Sequence, residues 1–301
     1  MIVSENSTTL SAENSARIEA KRAVRMCSIA GHAAKRCGIV IGVTVGIVAW
    51  AGLLSVAASA QTPPIPATSA NWSGIVLDAP VPLAQGNFHF VQVSADWTVP
   101  GATYRPGNCD AFESAAQWVG LDGAGGNDVL QAGVTTSVNC STGAVEVSPW
   151  FGWYPAGFQN AGGLHVSPGD TVTAWVWVDA AGMGHGYVAD LTTGENSGTM
   201  SVPMPTGAVT RPEVGYSAEW IIEDNSDSAG LSGGYPIANY GSGTMTNCWA
   251  ADAVGNGYGP GVLAAIPGVA EAPVEYAFTL SDGSSVPTII GAQAVLFQVT
   301  P

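Results

Sequence analysis

Hydrophobic and polar residues alternate along most of the chain with the period of two that is typical of half-buried β-strands. In the segment DTVTAWVWVD, residues 170–179, Val172, Ala174, Val176 and Val178 alternate with threonine and tryptophan. No helical period is sustained over ten residues. Further strand-like segments, separated by turn residues, are NWSGIVLD, NFHFVQVSADWTVP, SAAQWVGLDG, VLQAGVTTSV, AVEVSPWFGWYP, GYVADLTTG, YSAEWIIED, GTMTNCWA, VEYAFTL and AQAVLFQVT.

This pattern predicts an all-β fold. Many short strands joined by tight turns favour an antiparallel two-sheet β-sandwich of the concanavalin or jelly-roll kind. The composition agrees, because 39 glycines and only 10% charged residues suit strands and turns better than helices. We expect a single domain over residues 71–301, since no repeat or internal linker interrupts the pattern. The preceding residues 61–70 are predicted to form a short linker or a trimmed pro-segment.

Residues 1–60 have the features of a secretory signal with a long basic n-region. Basic residues, among them Lys21, Arg25 and Arg36, precede the apolar run CGIVIGVTVGIVAWAGLLSVAASA, which ends in Ala-Ser-Ala. Met26 is an alternative start within this region. Cleavage after Ala60 would give a secreted protein without stable membrane association. The alternative is an uncleaved membrane anchor, because the apolar run is about 20 residues long.

Removal of this signal makes the chain strongly acidic. Arg105 and Arg211 are the cations that remain, against 20 of the 23 acidic residues, a formal net charge of −18. Nucleic acids and anionic membranes are therefore poor partners. Because protonation of carboxylates relieves self-repulsion and few salt bridges are at stake, this composition favours a protein that works in acid.

The cysteines and histidines indicate neither a metal site nor a cofactor. Cys109, Cys140 and Cys248 allow one disulfide and one free thiol, and the sequence leaves the pairing open. No CxxC or HExxH motif is present, and the histidines are scattered. We expect a monomer that uses side-chain chemistry alone.

Two strand-like segments carry polar residues on the face opposite their predicted core. In AEWIIED, Glu219, Ile221 and Glu223 share one face, while Trp220 and Ile222 share the other. By the same alternation Gln131 of VLQAGV faces away from the core side of its strand. These polar groups and the nearby aromatic residues are typical of a substrate groove.

Six motifs, in this order, resemble the glutamic peptidases, or eqolisins, which are secreted endopeptidases active in acid. The resemblance implies a sandwich of two curved antiparallel sheets and a catalytic Gln–Glu dyad. By motif, it assigns the dyad to Gln131 and Glu223, and groove positions to Trp118, Asp122 and Tyr154. Trp153 and Glu219, which neighbour these residues, are predicted to line the same groove. The motifs are NWSG, QWVGLDG, LQAG, WFGWYP, AEWIIED and YPIANYG.

The chemistry expected of this dyad needs neither a metal nor a covalent intermediate. Glu223 would take a proton from water as the water attacks a peptide carbonyl, and the Gln131 amide would stabilise the oxyanion. Protein or peptide substrates are therefore predicted. One departure stands out: many family members have a glutamate in the middle of the aromatic motif, where this chain has Gly152. Cleavage specificity is therefore not transferable from the family.

Two other functions compete with this prediction. A jelly-roll glycosidase would use Glu219 and Glu223 as a pair of carboxylates on one strand, but the residue midway between them is Ile221. A lectin-like carbohydrate-binding module would use the aromatic residues to stack on sugars. It would give no function to Gln131 or Glu223.

Overall fold

β-Strands are the regular elements of the computed structural model, which describes residues 63–79, 89–105, 111–205, 215–225, 237–263 and 273–299. These residues belong to one compact unit, residues 58–301. The strands are β1 (Ile65–Ser69), β2 (Trp72–Asp78), β3 (Phe90–Thr98), β4 (Phe112–Leu121), β5 (Val129–Asn139), β6 (Val145–Tyr154), β7 (Gly157–Asn160), β8 (Thr171–Val178), β9 (Met183–Asp190), β10 (Met200–Pro203), β11 (Ser217–Glu223), β12 (Ser242–Asp252), β13 (Gly257–Tyr258), β14 (Val274–Leu280), β15 (Ser285–Gly291) and β16 (Ala294–Val299).

The strands form two sheets. The first sheet has the order β1-β14-β2-β11-β4-β5-β6-β7, and the second has the order β10-β9-β8-β3-β12-β16-β15, with β13 paired to β12. Neighbouring strands run antiparallel, as between β4 and β5 or β3 and β8, except that β1 is parallel to β14. The predicted all-β sandwich of two mainly antiparallel sheets is confirmed.

The core between the sheets is built by the alternation that the sequence displays. In β8, Val172, Ala174 and Val176 are fully buried, while the alternate residues of the strand keep part of their surface exposed. Full burial of one large aliphatic or aromatic side chain contributes about 1.5–3 kcal/mol. The strands that carry the predicted dyad contribute Ala218, Trp220, Ile222, Leu130, Ala132 and Val134 to the same core.

A second hydrophobic cluster covers the opposite side of the first sheet, which we call the outer face. Because side chains alternate along a strand, the residues that do not face the core emerge here. The polar residues of β5 and β11 singled out in the sequence share this face. The cluster consists of Val76, Ala116, Trp118, Val129, Trp150 and Ile221, with Trp72, Ala124, Tyr276 and Phe278 packed against it.

The segment before the domain differs from its prediction. Residues 61–70 were expected to form a linker or a trimmed pro-segment, but Ile65–Ser69 form β1, an edge strand of the first sheet paired with β14. Its proline, Pro66, is compatible with this position, because an edge strand has one side that forms no ladder hydrogen bonds. The predicted secretory signal, residues 1–60, lies outside the described residues.

Two of the three cysteines that follow the predicted signal lie within the described residues. Cys140 is disulfide-bonded, and Cys248 is a free, buried thiol. The described part of the chain contains no apolar helix of membrane-spanning length. Within the same residues, no group of three or more histidine, cysteine or acidic side chains is placed to hold a metal ion.

Candidate active site

Gln131 and Glu219 lie in one row of residues that crosses the first sheet. Glu219 of β11 pairs with Gly120 of β4, Gly120 pairs with Gln131 of β5, and Gln131 pairs with Gly152 of β6. Paired residues in adjacent strands point to the same face. The two polar side chains therefore emerge on the outer face with a single glycine between them. Since strands are about 4.8 Å apart, their Cα atoms are about 10 Å apart.

Gly120 leaves room for the Glu219 carboxylate to lean towards Gln131. A methyl group at position 120 would lie 2.9 Å from Glu219 Oε2 and 2.7 Å from the Trp118 ring. The carboxylate thus occupies space that any other residue at position 120 would need. Glycine inside a strand weakens the strand, and it is often found where other groups approach the backbone closely.

The carboxyl group of Glu219 is buried, and only one of its two oxygens accepts hydrogen bonds. Oε1 accepts hydrogen bonds from Ser217 Oγ at 2.6 Å and from the Ala124 backbone N–H at 3.2 Å. Oε2 is buried without a hydrogen-bond partner. Burial raises the pKa of Glu219 to about 7, although both hydrogen bonds oppose the shift, and the nearby carboxylates of Asp78 and Asp128 add to it.

Gln131 also has an unsatisfied polar atom. The residue is 5% exposed, and its Oε1 is buried without a hydrogen-bond partner. Most buried polar atoms in proteins have partners, and an exception can reflect a catalytic function or a bound water. Here two such atoms, Gln131 Oε1 and Glu219 Oε2, belong to residues of the same row.

Glu223 lies on the same face, but the structure does not bring it together with Gln131. Glu223 pairs with Ala116, four residues along the strand from the row that contains Gln131. At about 3.4 Å per residue this offset is about 14 Å, too far for the two side chains to share one water molecule. The predicted pairing of Gln131 with Glu223 is therefore not the arrangement found.

Donors surround the Glu223 carboxylate. Asn71 Nδ2 donates to Oε1 at 2.7 Å and Trp118 Nε1 donates to Oε2 at 2.9 Å, and Trp72 provides a further side-chain hydrogen bond. Burial nevertheless raises the pKa of Glu223 to about 7, against the effect of these donors and with a small contribution from Asp224. Glu223 holds the indoles of the two tryptophans, which pack edge to face with ring centroids 5.0 Å apart.

The residues predicted to line the groove occupy three kinds of position. Trp118 lies on the outer face, fully buried in its hydrophobic cluster. Tyr154 is on the same face and 51% exposed. Asp122 is buried, and its Oδ1 accepts hydrogen bonds from the backbone N–H groups of Gly215 and Tyr216. Burial raises its pKa well above the ordinary value, and the two hydrogen bonds oppose this. It anchors the chain segment that leads into β11.

The prediction for Trp153 is wrong. Trp153 is fully buried in the core between the sheets, and its Nε1 donates to Asp128 Oδ2 at 3.1 Å. The alternation along β6 gives the reason: Trp150, Gly152 and Tyr154 face outward, so Trp153 must face inward. An aromatic motif with adjacent tryptophan and tyrosine residues necessarily divides between the two faces.

An open pocket of about 530 Å³ lies on the outer face. The glycine-rich segment 122–128 forms part of its wall, and the same segment covers Glu219 through the Ala124 N–H. Neither this cover nor the Asn71 contact can be inferred from the sequence, because both depend on long-range packing. Glycines within strands, Gly120 among them, are a sequence signal of close approach to the backbone. The pocket is lined by Trp72, Gly123, Gly126, Asn127, Asp128, Val129, Tyr154 and Pro155.

A β-sandwich that presents a glutamine and a glutamate on one face of a sheet fits the class of glutamic peptidases. The chain belongs to the peptidase A4 family, whose profile matches residues 70–271. The recognition of a glutamic peptidase from its motifs is thus confirmed. The enzyme class of this family is hydrolases that act on peptide bonds, and the match favours it over the lectin-like and glycosidase alternatives.

Individual relatives agree with the family assignment. Scytalidopepsin B of Scytalidium lignicola is 29% identical over 154 residues, which cover 51% of this chain and 51% of that protein. A crystal structure of scytalido-glutamic peptidase with a transition state analog inhibitor has a TM-score of 0.56 and 21% identity, covering 77% of this chain and 99% of that one. The eqolisin SCP-B in complex with the tripeptide Ala-Ile-His has a TM-score of 0.52 and 18% identity, with the same coverage. These structural matches support the fold.

Proposed function

We propose that this protein is a secreted endopeptidase that hydrolyses peptide bonds in acid, with Gln131 and Glu219 as its catalytic pair. The observation that carries the proposal is the row Glu219–Gly120–Gln131, which holds two buried oxygen atoms without hydrogen-bond partners. A water molecule that donates one hydrogen bond to each oxygen would satisfy both groups. Both oxygens of Glu223, in contrast, already accept hydrogen bonds, from Asn71 and Trp118.

In the proposed mechanism Glu219 acts first as a general base and then as a general acid. Its free Oε2 takes a proton from water while the water oxygen attacks the carbonyl carbon of the scissile bond. The amide N–H of Gln131 donates to the oxyanion, and this donor stays available in acid because an amide does not titrate there. Protonated Glu219 then returns the proton to the leaving amine. The reaction consumes only water and the peptide. The proton transfers and the stabilisation of the oxyanion use only the side chains of Glu219 and Gln131.

The environment of Glu219 suits both halves of this cycle. While Ala124 and its segment cover the site, burial favours the protonated carboxyl, which is the form that donates to the amine. A water that donates a hydrogen bond to Oε2 would stabilise the carboxylate and lower its pKa towards the ordinary value of about 4.3. The carboxylate needed as a base would then form in mild acid. A histidine base would be protonated in the same range.

Digestion of denatured protein tests this proposal. The secreted domain would be incubated with a denatured protein mixture at graded pH from about 2 to 8, and the new termini would be sequenced. We expect internal cleavage that is strongest below about pH 6. Glu219→Gln is expected to lower kcat by about 10²–10⁴-fold and Gln131→Ala by about 10²–10³-fold, with folding retained. Absence of cleavage at every pH, or normal turnover by Glu219→Gln, would overturn the proposal.

Export is the second half of the proposal and has its own test. It is supported by the basic region, apolar run and Ala-Ser-Ala ending within residues 1–60. Expression of the full chain in a secreting host should release into the medium a protein whose first residue lies at or shortly after position 61. Retention of the intact chain in the membrane fraction would favour the uncleaved anchor instead.

A further inference from the structure

The residue of β6 that lies beside Gln131 is a glycine, Gly152. Gly152 pairs with Gln131, and Phe158 of β7 pairs with Gly152. A methyl group at position 152 would lie 2.5 Å from the Gly157 carbonyl oxygen and 2.7 Å from Phe158 Cδ1. The Phe158 ring therefore occupies the space above Gly152. Where many family members carry a carboxylate, this chain presents an aromatic ring.

Phe158 is both supported and exposed. Its ring packs edge to face against Trp150, with ring centroids 5.2 Å apart. The Trp150 indole is itself fixed, because Nε1 donates to Thr135 Oγ1 at 2.8 Å. Even so, 55% of Phe158 remains exposed to solvent. A supported but uncovered aromatic side chain beside a candidate active site is a surface on which apolar groups bind favourably.

The strand segments next to Phe158 are uncharged in the part of the chain that the structure describes. The strand segments Val129–Gly133, Trp150–Tyr154 and Gly157–Asn160, which form this end of the outer face, contain no acidic or basic residue. Tyr154, 51% exposed, continues the aromatic surface towards the open pocket. A charged substrate side chain would lose hydration here without gaining a partner, whereas an apolar side chain would bury its surface.

We propose that Phe158 and Trp150 form a subsite for a large apolar or aromatic side chain of the substrate, and that Phe158 determines this preference. The inference rests on the proposed peptidase function. Phe158 lies two strands from Gln131, about 10 Å between Cα atoms. An extended peptide advances about 3.4 Å per residue, so the bound side chain belongs to a residue within about three positions of the scissile bond.

Peptide pairs that differ at one position test the subsite. Cleavage of a peptide library by the wild-type protein would first identify the position at which Phe, Leu, Met or Tyr is enriched. Peptides with Phe or Ala at that position would then be compared by kcat/KM. We expect the wild-type protein to prefer Phe by about 10–100-fold and Phe158→Ala to lose most of this preference. Phe158→Glu should instead favour Lys or Arg at the same position above the ordinary pKa of glutamate.

Phe112→Ala is the matched control, because Phe112 is 57% exposed but lies at the far end of β4. It should keep the wild-type preference, and melting temperatures would confirm that all variants are folded. An unchanged Phe-to-Ala ratio in Phe158→Ala would overturn the subsite. Calorimetric binding of the same two peptides to Glu219→Gln provides a readout that does not need turnover. A wild-type protein without cleavage would overturn the proposed function, and equal binding of both peptides would separately overturn the subsite.

Discussion

Glu219 and Gln131 occupy equivalent positions on two strands that are separated by a third, and the intervening strand places Gly120 between them. This relationship is the basis for proposing that Glu219, rather than Glu223, acts with Gln131. A carboxylate in the same row can reach across a glycine, whereas one displaced by four residues along the strand cannot. The cross-strand register therefore places Glu219, and not the motif-assigned Glu223, level with Gln131.

Replacement of Gly120 by alanine should remove activity. The added methyl group would lie 2.9 Å from Glu219 Oε2 and 2.7 Å from the Trp118 ring, so the carboxylate must move away from Gln131. We expect kcat/KM to fall by about 10²-fold or more and the free energy of unfolding to fall by about 1–3 kcal/mol. Gly101→Ala is the control, because no heavy atom lies within 4 Å of a methyl group there. Wild-type activity in Gly120→Ala would argue against a catalytic pair that spans this position.

Replacement of Glu223 by glutamine should reduce stability more than activity. Asn71 and Trp118 donate to different oxygens of this carboxylate. Glutamine has one acceptor oxygen, so its NH₂ group would face one of the two donors. The expected loss is about 1–3 kcal/mol in chemical denaturation at pH 8, where the carboxylate is ionised and accepts from both donors, with less than about a tenfold change in kcat/KM.

The exposed residue Glu146 provides the comparison, since Glu146→Gln changes the same functional group on the surface of β6. It should alter neither property. If Glu223→Gln abolished hydrolysis while Glu219→Gln did not, the catalytic pair would be Gln131 and Glu223, as the motifs predict. The proposal of Glu219 as the catalytic glutamate would then be wrong.

Stability should decrease as the pH rises from about 4.5 to 7. Burial raises the pKa of Glu219 and Glu223 from 4.5 to about 7. In this range the folded protein binds more protons than the unfolded chain, so the free energy of unfolding falls with increasing pH. The full stability is present below about 4.5, and each group can account for a loss of about 3 kcal/mol by pH 7.

Melting temperatures recorded from pH 3 to pH 8 measure this effect, and they should be several degrees higher at pH 5 than at pH 8. Glu219→Gln should flatten the slope, because the residue no longer titrates. At the acid end of this range we expect a smaller decrease in stability as the pH falls. The hydrogen bond from His185 lowers the pKa of Asp179 below 3.8, and its contribution is lost as the pH falls through that lowered pKa. A melting temperature that rises steadily towards pH 8 would contradict the prediction.

The sequence was sufficient to predict the sandwich and the face on which each candidate residue lies. Alternation in β5 and β11 assigned Leu130 and Trp220 to the core, and Gln131 and Glu219 to the opposite face, because the side-chain period of a strand is a local property. Register is not local. It depends on which residues of distant strands pair, so the sequence could not show that Gln131 is level with Glu219.

Other features escaped prediction for related reasons. β1 contains a proline and follows a proline-rich stretch, which is typical of a linker, and only its pairing with β14 makes it a strand. The cover over Glu219 depends on the path of a glycine-rich segment whose composition indicates a turn but not its direction. Both features arise from contacts between residues far apart in the chain.

Replacement of Trp153 by phenylalanine tests the division of the aromatic motif between the two faces. The Trp153 indole is fully buried in the core, and its N–H donates to Asp128 Oδ2, whose carboxyl is itself buried. Burial raises the pKa of Asp128 and this hydrogen bond opposes the shift, so its loss should raise that pKa further. We expect a loss of about 1–3 kcal/mol in the free energy of unfolding, with kcat/KM changed by less than about threefold because no groove contact is removed.

Tyr154→Phe, at the neighbouring outward position, should leave stability unchanged, because its ring is 51% exposed. If Trp153→Phe instead raised KM strongly at unchanged stability, Trp153 would have to contact substrate, and the inward orientation of its ring would be incorrect.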